Sequence, residues 1–344
     1  MKDIEKIGQL IEKSERILIT SHISPDPDAV SSVLLLGRAL KESFQDKKIV
    51  MVMEEEPLSD LSFLHGYDLL KFVSLNQTLV DLEPDLFVIV DANSYGRVAR
   101  NEGEQIRSFV AKRKEKLTTI IIDHHELEGC EDVDIFINNK RPACAEEVYA
   151  LCFEQLRLKK PEGYAEAALL GIVSDTQRIR FDHPGYRETY RIVSDLQDAG
   201  ASVEKLEARL ERHNKNELEV IGHLATNITG HDGYTYSFIS DEFLNDWRAK
   251  NKPVADLKNA TELFVNTFIR SFEGNNWGFV VYPELVAGPG WWGVSFRALS
   301  GIKDVASIAN KLGGGGHKPA AGAKIKAKSV EEAIQKVQQA ISSP

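Results

Sequence analysis

Short continuous apolar runs alternate with stretches of helical spacing through the first half of the chain. RILIT (16–20) is such a run. A polar loop follows, and then DAVSSVLLLGRALKES (28–43), with apolar residues three and four apart. KIVMVM (48–53), DLFVIVDA (85–92) and TTIIIDHH (118–125) are further strand-like runs, the last two ending in acid or histidine. Strands buried on both faces of a parallel sheet have this continuous β-branched character, and the intervening helical patterns supply the crossovers. CAEEVYALCFEQL, YAEAALLGIVSD and ETYRIVSDLQDAG predict three more helices, the last closed by Gly200.

Between Ala201 and about Lys215 the chain becomes charged and loses its strand signal. The order of elements then changes. YTYSFIS reads as a strand, two helical stretches follow, and GFVVYPEL and WGVSFRALS are adjacent strands. DVASIANKL and SVEEAIQKVQQAI predict two last helices, separated by a segment that opens with four glycines. Strands that follow one another without a helix between them predict a mixed sheet. The expected architecture is α/β: a parallel-sheet domain over 1–198, a helical linker over 199–216, and a smaller mixed-sheet domain over 217–344.

A chain of 344 residues, 42% hydrophobic and 27% charged, is long enough for two cores and ordinary for a soluble globular protein. No apolar run reaches the roughly 18–20 residues of a membrane span. Three cysteines, Cys130, Cys144 and Cys152, without CxxC spacing predict a reducing compartment and no thiolate metal site, so a cytoplasmic protein. The formal net charge of −10 argues against binding long duplex nucleic acid and leaves a small anionic ligand open.

Candidate chemistry gathers where strands end, which is where open parallel sheets build their sites. His22, Asp26 and Asp28 follow RILIT, Asp91 ends the third run, and Asp123, His124 and His125 end the fourth. Asp175 follows an apolar helical run. Each has an ordinary alternative: Asp28 as a helix cap, Asp26 as a turn acid, His22 as a hydrogen-bonded surface group. Together they would need separate reasons for four acid-bearing loops at one sheet edge. As a ligand set, His22, Asp26, Asp28, Asp91, His124 and Asp175 give four carboxylates and two imidazoles. Two divalent cations would balance that charge. The nitrogen–oxygen mix without thiolate favours Mn²⁺, with Mg²⁺ or Co²⁺ as alternatives, and suits phosphoryl displacement.

In the second half, KLGGGGHKPAAG runs straight from an amphipathic helix into histidine, lysine and small residues. This predicts a loop whose backbone approaches a ligand closely, using Gly314, Gly315, Gly316 and His317. Arg297, near a strand end, can offer a bidentate fork to phosphate. Trp291 and Trp292 face opposite sides of a strand and are expected to pack rather than stack on bases.

These motifs resemble the DHH phosphoesterase superfamily, in the branch with the DHH-associated C-terminal domain. That branch includes the NrnA-like nano-RNase and pAp phosphatase group, with RecJ exonucleases as larger relatives. His22-Ile-Ser-Pro-Asp26-Pro-Asp28-Ala, Val88-Ile-Val-Asp91, Asp123-His124-His125, Gly171-Ile-Val-Ser-Asp175-Thr176 and GGGGHKPAAG carry the likeness. The resemblance implies that His22, Asp26 and Asp91 hold one metal, and that Asp28, Asp91, His124 and Asp175 hold the other, with Asp91 bridging. Asp123 would orient a neighbouring imidazole, and His125 would contact the scissile phosphate. Arg97, Arg297 and Gly314–His317 would bind substrate in a cleft between the domains.

Four positions depart from the family pattern. Pro27 stands for glycine, Ser24 for the frequent asparagine, Cys144-Ala145 for a Ser/Thr pair and Ala298 for serine. The expected activity is dimetal-dependent hydrolysis of short RNA, linear dinucleotides such as pApA, or pAp. A cyclic-di-AMP phosphodiesterase and a single-strand exonuclease are enzymatic alternatives, and a non-catalytic nucleotide-binding module is the alternative of another class. A homodimer is left open.

Overall fold

Alternate residues of the apolar runs pack into two different cores. Ile17, Ile19, Val88, Val90, Ile120 and Ile122 face one, whereas Leu18, Phe87, Ile89 and Ile121 face the other. Period-two alternation with both faces apolar is what a sheet covered by helices on each side requires. The computed structural model describes residues 2–57, 59–125, 132–180, 183–210, 212–231, 233–284 and 288–343. Cys130 lies outside the described residues. The chain divides into two units, Met1–Glu211 and Arg212–Pro344.

The first unit runs α1 (Lys2–Lys13), β1 (Arg16–Thr20), α2 (Pro27–Ser43), β2 (Lys48–Met53), β3 (Leu70–Phe72), α3 (Leu75–Leu82), β4 (Leu86–Val90), α4 (Tyr95–Val98), α5 (Gly103–Lys112), β5 (Thr118–Ile122) and β6 (Ile135–Ile137). Then come α6 (Cys144–Tyr149), prolonged as a π-helix through Gln155, α7 (Tyr164–Asp175), α8 (Tyr186–Asp198) and α9 (Val203–Leu210). Its described strands pair in parallel, in the order β3-β2-β1-β4-β5-β6. The order reverses between β1 and β4, and a reversal of this kind opens a crevice outside the strands' carboxyl ends. The charged stretch expected to link the domains contains α9, whose Leu206 is buried in the first unit's core.

Pro27 is the first residue of α2, with Asp26 as its cap: Asp26 Oδ1 accepts from the backbone N–H groups of Asp28 and Ala29, each at 3.0 Å. A proline there loses nothing, because a first-turn N–H has no partner within the helix. Helix α7 lies close against α2, and Gly171 permits it. A Cβ at Gly171 would stand 2.4 Å from Ala145 Cβ and 2.6 Å from Asp28 Oδ1.

The second unit runs α10 (Lys215–Thr226), β7 (Thr229–His231), β8 (Tyr234–Phe238), α11 (Asp241–Ala249), α12 (Val254–Thr267), β9 (Trp277–Pro283), β10 (Trp291–Ala298), α13 (Val305–Lys311), β11 (Gly315–His317), β12 (Ala320–Lys326) and α14 (Val330–Ser342). Its sheet, in the order β11-β12-β10-β9-β8-β7, is mixed: β8 and β9 are parallel and the other described pairs antiparallel. Trp292 is buried in this unit's core and its Nε1–H donates to Ala327 O at 3.3 Å, while Trp291 is half-buried.

Candidate metal centre

The polar motifs around His22, Asp91 and Asp123 land at the carboxyl ends of β1, β4 and β5, beside the point where the strand order reverses, while Asp175 ends helix α7. Asp91 is the first residue after β4 and takes a left-handed backbone (φ 53°), which aspartate tolerates better than most residues. Its N–H donates to Ile122 O at 2.9 Å, which ties the turn to β5. The side chain then divides its two oxygens. Oδ2 lies 3.5 Å from His22 Nε2, and Oδ1 lies 3.6 Å from His124 Nε2.

Two sets of donor atoms flank Asp91. His22, Asp26 and Asp91 form one, and Asp28, His124 and Asp175 form the other; within each, one atom per residue lies within 4.8 Å of the rest. A third grouping joins Asp91, Asp123, His124 and His125. His124 Nε2 is also 3.6 Å from Asp175 Oδ2. These spacings exceed hydrogen-bond length, yet two donors each about 2.1 Å from a shared ion would lie roughly 3 Å or a little more apart. His22 Nδ1 is 2.8 Å from Ile23 O, so that ring nitrogen is engaged by the backbone and Nε2 is turned toward the carboxylates.

The electrostatics show what the arrangement costs without cations. Burial first, then the charges of Asp91 and Asp175, push Asp28 well above the ordinary carboxylate range. Asp91 is raised in the same way, by burial and then by Asp26 and Asp123. Asp175 is pushed up to about 7 by burial and by Asp26. Carboxylates gathered with so little compensation suit a site for divalent cations, and the donor set of carboxylate oxygens and imidazole nitrogens fits hard to borderline ions.

Asp123 and His125 behave as a pair. His125 Nδ1 is 2.9 Å from Asp123 Oδ1, and the His125 backbone N–H donates to the same oxygen at 3.1 Å. Burial opposes both charges, but their mutual attraction outweighs it: Asp123 titrates below its usual range and His125 above.

Sequence reasoning missed how Asp28 is held. Both its oxygens accept from the first turn of α6, from Cys144 N–H at 2.7 Å and Ala145 N–H at 2.9 Å. Backbone donors do this work, so losing the family's Ser/Thr pair at 144–145 leaves these two hydrogen bonds in place. Ser24 also has a local explanation. It sits at φ 53°, where asparagine is favoured, and here Glu55 Oε2 accepts from both its N–H (3.1 Å) and its hydroxyl (3.0 Å). Arg100 Nη2 holds Glu55 at 2.7 Å.

Arg97 is exposed in α4, and its backbone O accepts from Ile23 N–H at 2.7 Å, which anchors the β1 loop. In the second unit, Arg297 is half-buried, with Nε donating to Asn266 Oδ1 at 2.7 Å and Nη1 to Phe296 O at 2.9 Å. The expected glycine loop divides into a helix stop and an edge strand. Gly313 (φ 77°) and Gly314 donate to Asn310 O at 3.0 Å and Ala309 O at 2.8 Å, a Schellman closure of α13. Gly315, Gly316 and His317 form the exposed strand β11, paired with β12.

A doubly wound α/β unit with paired carboxylate–imidazole sets at its switch point defines a metal-binding hydrolase-like class of site. The DHH family N-terminal domain model matches residues 16–172, and the DHHA1 domain model matches 249–343. The chain belongs to the DHH family, whose members hydrolyse phosphoester bonds. It is similar to proteins named bifunctional oligoribonuclease and PAP phosphatase NrnA. The Mycoplasma pneumoniae protein is 26% identical, covering 92% of this chain and 90% of that protein. The Thermus thermophilus protein is 28% identical (94% and 89%), and the Bacillus subtilis protein 26% (90% and 90%). The crystal structure of an exopolyphosphatase-related protein from Bacteroides fragilis shares the fold, with a TM-score of 0.82 at 22% identity, over 99% of this chain and 95% of that one.

Proposed function

We propose that the chain hydrolyses short nucleotides with two divalent cations, releasing mononucleotides from very short RNA or linear dinucleotides and removing the 3′-phosphate of pAp. The observation that carries this reading is Asp91, whose two oxygens face two separate histidine-bearing donor sets. His22, Asp26 and Asp91 would hold one cation; Asp28, Asp91, His124 and Asp175 would hold the other, with Mn²⁺ favoured. Bound there, the two cations would supply Lewis acidity, activating water and stabilising charge on the phosphoryl oxygens. The α6 backbone N–H groups of Cys144 and Ala145 aim Asp28. Asp123 favours the charged form of His125, which would contact the scissile phosphate and give its proton to the leaving oxygen. Arg97, Arg297, Gly314, Gly315, Gly316 and His317 would bind the substrate's remaining phosphate or nucleotide.

Three relatives matched over about 90% of the chain, each named oligoribonuclease and PAP phosphatase, support this substrate class. Among the described residues no helix is long and apolar enough to cross a membrane. A cytoplasmic location suits the proposed substrates. The test is hydrolysis of pAp, pApA, a five-residue RNA and a long single-stranded DNA with Mn²⁺, before and after chelation. Chelator-sensitive turnover concentrated on the short substrates is expected. Equal or faster cleavage of the long strand would refute the short-substrate reading.

A further inference from the structure

Two glutamates that the cation set leaves unused are almost wholly shielded from solvent. Glu146 and Glu147, in the first turn of α6, are 0% and 1% exposed. A buried carboxylate is retained only with close partners, and here the partners differ. Glu146 Oε1 lies 2.7 Å from Arg141 Nη1, and its Oε2 accepts from Thr189 Oγ1 at 2.7 Å. Glu147 has Arg141 Nε at 3.6 Å, but its hydrogen bonds go to the loop after β6. Asn139 N–H donates to Oε1 at 2.5 Å, and Asn139 Nδ2 donates to Oε2 at 2.8 Å.

The loop passes that hold to the neighbouring strand. Asn138 Nδ2 donates to the His125 carbonyl at 2.6 Å, while Asn138 Oδ1 accepts from the N–H of Lys140, itself left-handed at φ 56°. Three residues upstream of Glu147 begins the pair of N–H groups, on Cys144 and Ala145, that grips Asp28. One buried carboxylate thus sits on the helix that aims Asp28 and grips the loop that holds His125.

We propose that Glu147 and Asn138 are positioning residues: Glu147, through Asn139 and Asn138, fixes the His125 backbone and so the placement of its imidazole against the substrate. The kinetic part rests on the phosphoesterase role given to His125. The clamp itself is a statement about backbone order and can be read without turnover.

Three variants test it. In Glu147→Gln one oxygen still accepts from Asn139 N–H, but the new amide NH₂ meets the Asn139 NH₂. Asn138→Ala removes the link to His125 and the acceptor of the Lys140 N–H, but leaves the buried α6 cluster intact, so it serves where the first variant folds poorly. Both are expected to lower kcat by about 10–100-fold, the usual cost of losing an outer orienting partner. KM should stay close to wild type in both, as should the melting midpoint of Asn138→Ala, and deuterium exchange in the peptide ending at His125 should accelerate. In Glu147→Gln/Asn139→Asp donor and acceptor are exchanged, and kcat and exchange protection should recover. Unchanged kcat and exchange in both single variants would overturn the proposal. So would a double variant no better than Glu147→Gln. A wild type inactive on every short substrate would refute the phosphoesterase reading instead, and the exchange measurement would still decide the clamp.

Discussion

At the ends of β1, β4 and β5 the first unit interrupts wholly apolar strands with acids and histidines; at the end of α13 the second unit presents four residues with no side chain at all. Both features stand out, and they differ in how many jobs the fold can give them. A buried strand has no structural use for an Asp-His-His ending, and burial pushes the neighbouring carboxylates upward rather than satisfying them. Glycines, by contrast, are wanted wherever a helix must stop or two backbones must approach. Gly313 and Gly314 close α13, and a Cβ at Gly314 would stand 2.1 Å from Gly322 O. Acid clusters therefore point to chemistry more strongly than glycine runs do.

The largest expected effect separates the two regions by kinetic parameter. Asp91→Asn should lower kcat on a short RNA at least about 10³-fold, as expected when a group felt mainly in the transition state is lost. Cation stoichiometry measured calorimetrically should fall with it. Arg297→Ala should raise KM with kcat largely retained, since it removes binding rather than chemistry. A fall in kcat of equal size in both variants would erase the distinction.

Gly171→Ala sharpens the comparison from inside the first unit. Its new methyl would meet Ala145 Cβ at 2.4 Å and Asp28 Oδ1 at 2.6 Å, and Asp28 can yield only by straining its two hydrogen bonds to the α6 backbone. Overpacking of this kind costs about 1–3 kcal/mol, set against the roughly 1 kcal/mol that alanine gains over glycine within a helix. Chemical denaturation should show the net loss, and Mn²⁺ affinity should drop because the displaced group is Asp28. Wild-type Mn²⁺ affinity in this variant would show that Asp28 is not a ligand.

How far the sequence could be read follows the same division. The strands that frame the first site were legible because each is a continuous β-branched run, and five of the six proposed ligands because they cluster where such runs end; Asp175 instead closes the apolar helix α7. The hold on Asp28 by Cys144 and Ala145 was not, because backbone N–H groups carry no residue identity. Glu147 was hidden inside an ordinary helical pattern, since a period-3.6 reading does not reveal that a helix's first turn is buried. β12 escaped because six of the seven residues of Ala320–Lys326 are alanine, glycine or lysine, which lack strand propensity, leaving Ile325 alone as a strand signal. β11 is three residues long and mostly glycine, and only its pairing with β12 makes it a strand.

The smallest effects lie within the glycine run and decide what that run is for. Gly313 has φ 77° and open space where a Cβ would stand, so Gly313→Ala brings no clash and only the strain of a left-handed alanine, about 1 kcal/mol. The loss should appear as a lower melting midpoint with KM unchanged. Gly315 is the reverse case. Its φ lies outside the left-handed region, it is exposed, and the nearest atom to a built Cβ is Asn310 Oδ1 at an ordinary 3.6 Å. The fold gives no reason for glycine at this position, so Gly315→Ala should leave stability intact or slightly improved. A KM that rises severalfold in Gly315→Ala and not in Gly313→Ala would place the ligand's approach at the edge strand. Equal, wild-type KM values in both would leave the run a helix stop and a hairpin edge, and would remove Gly315 from the substrate site.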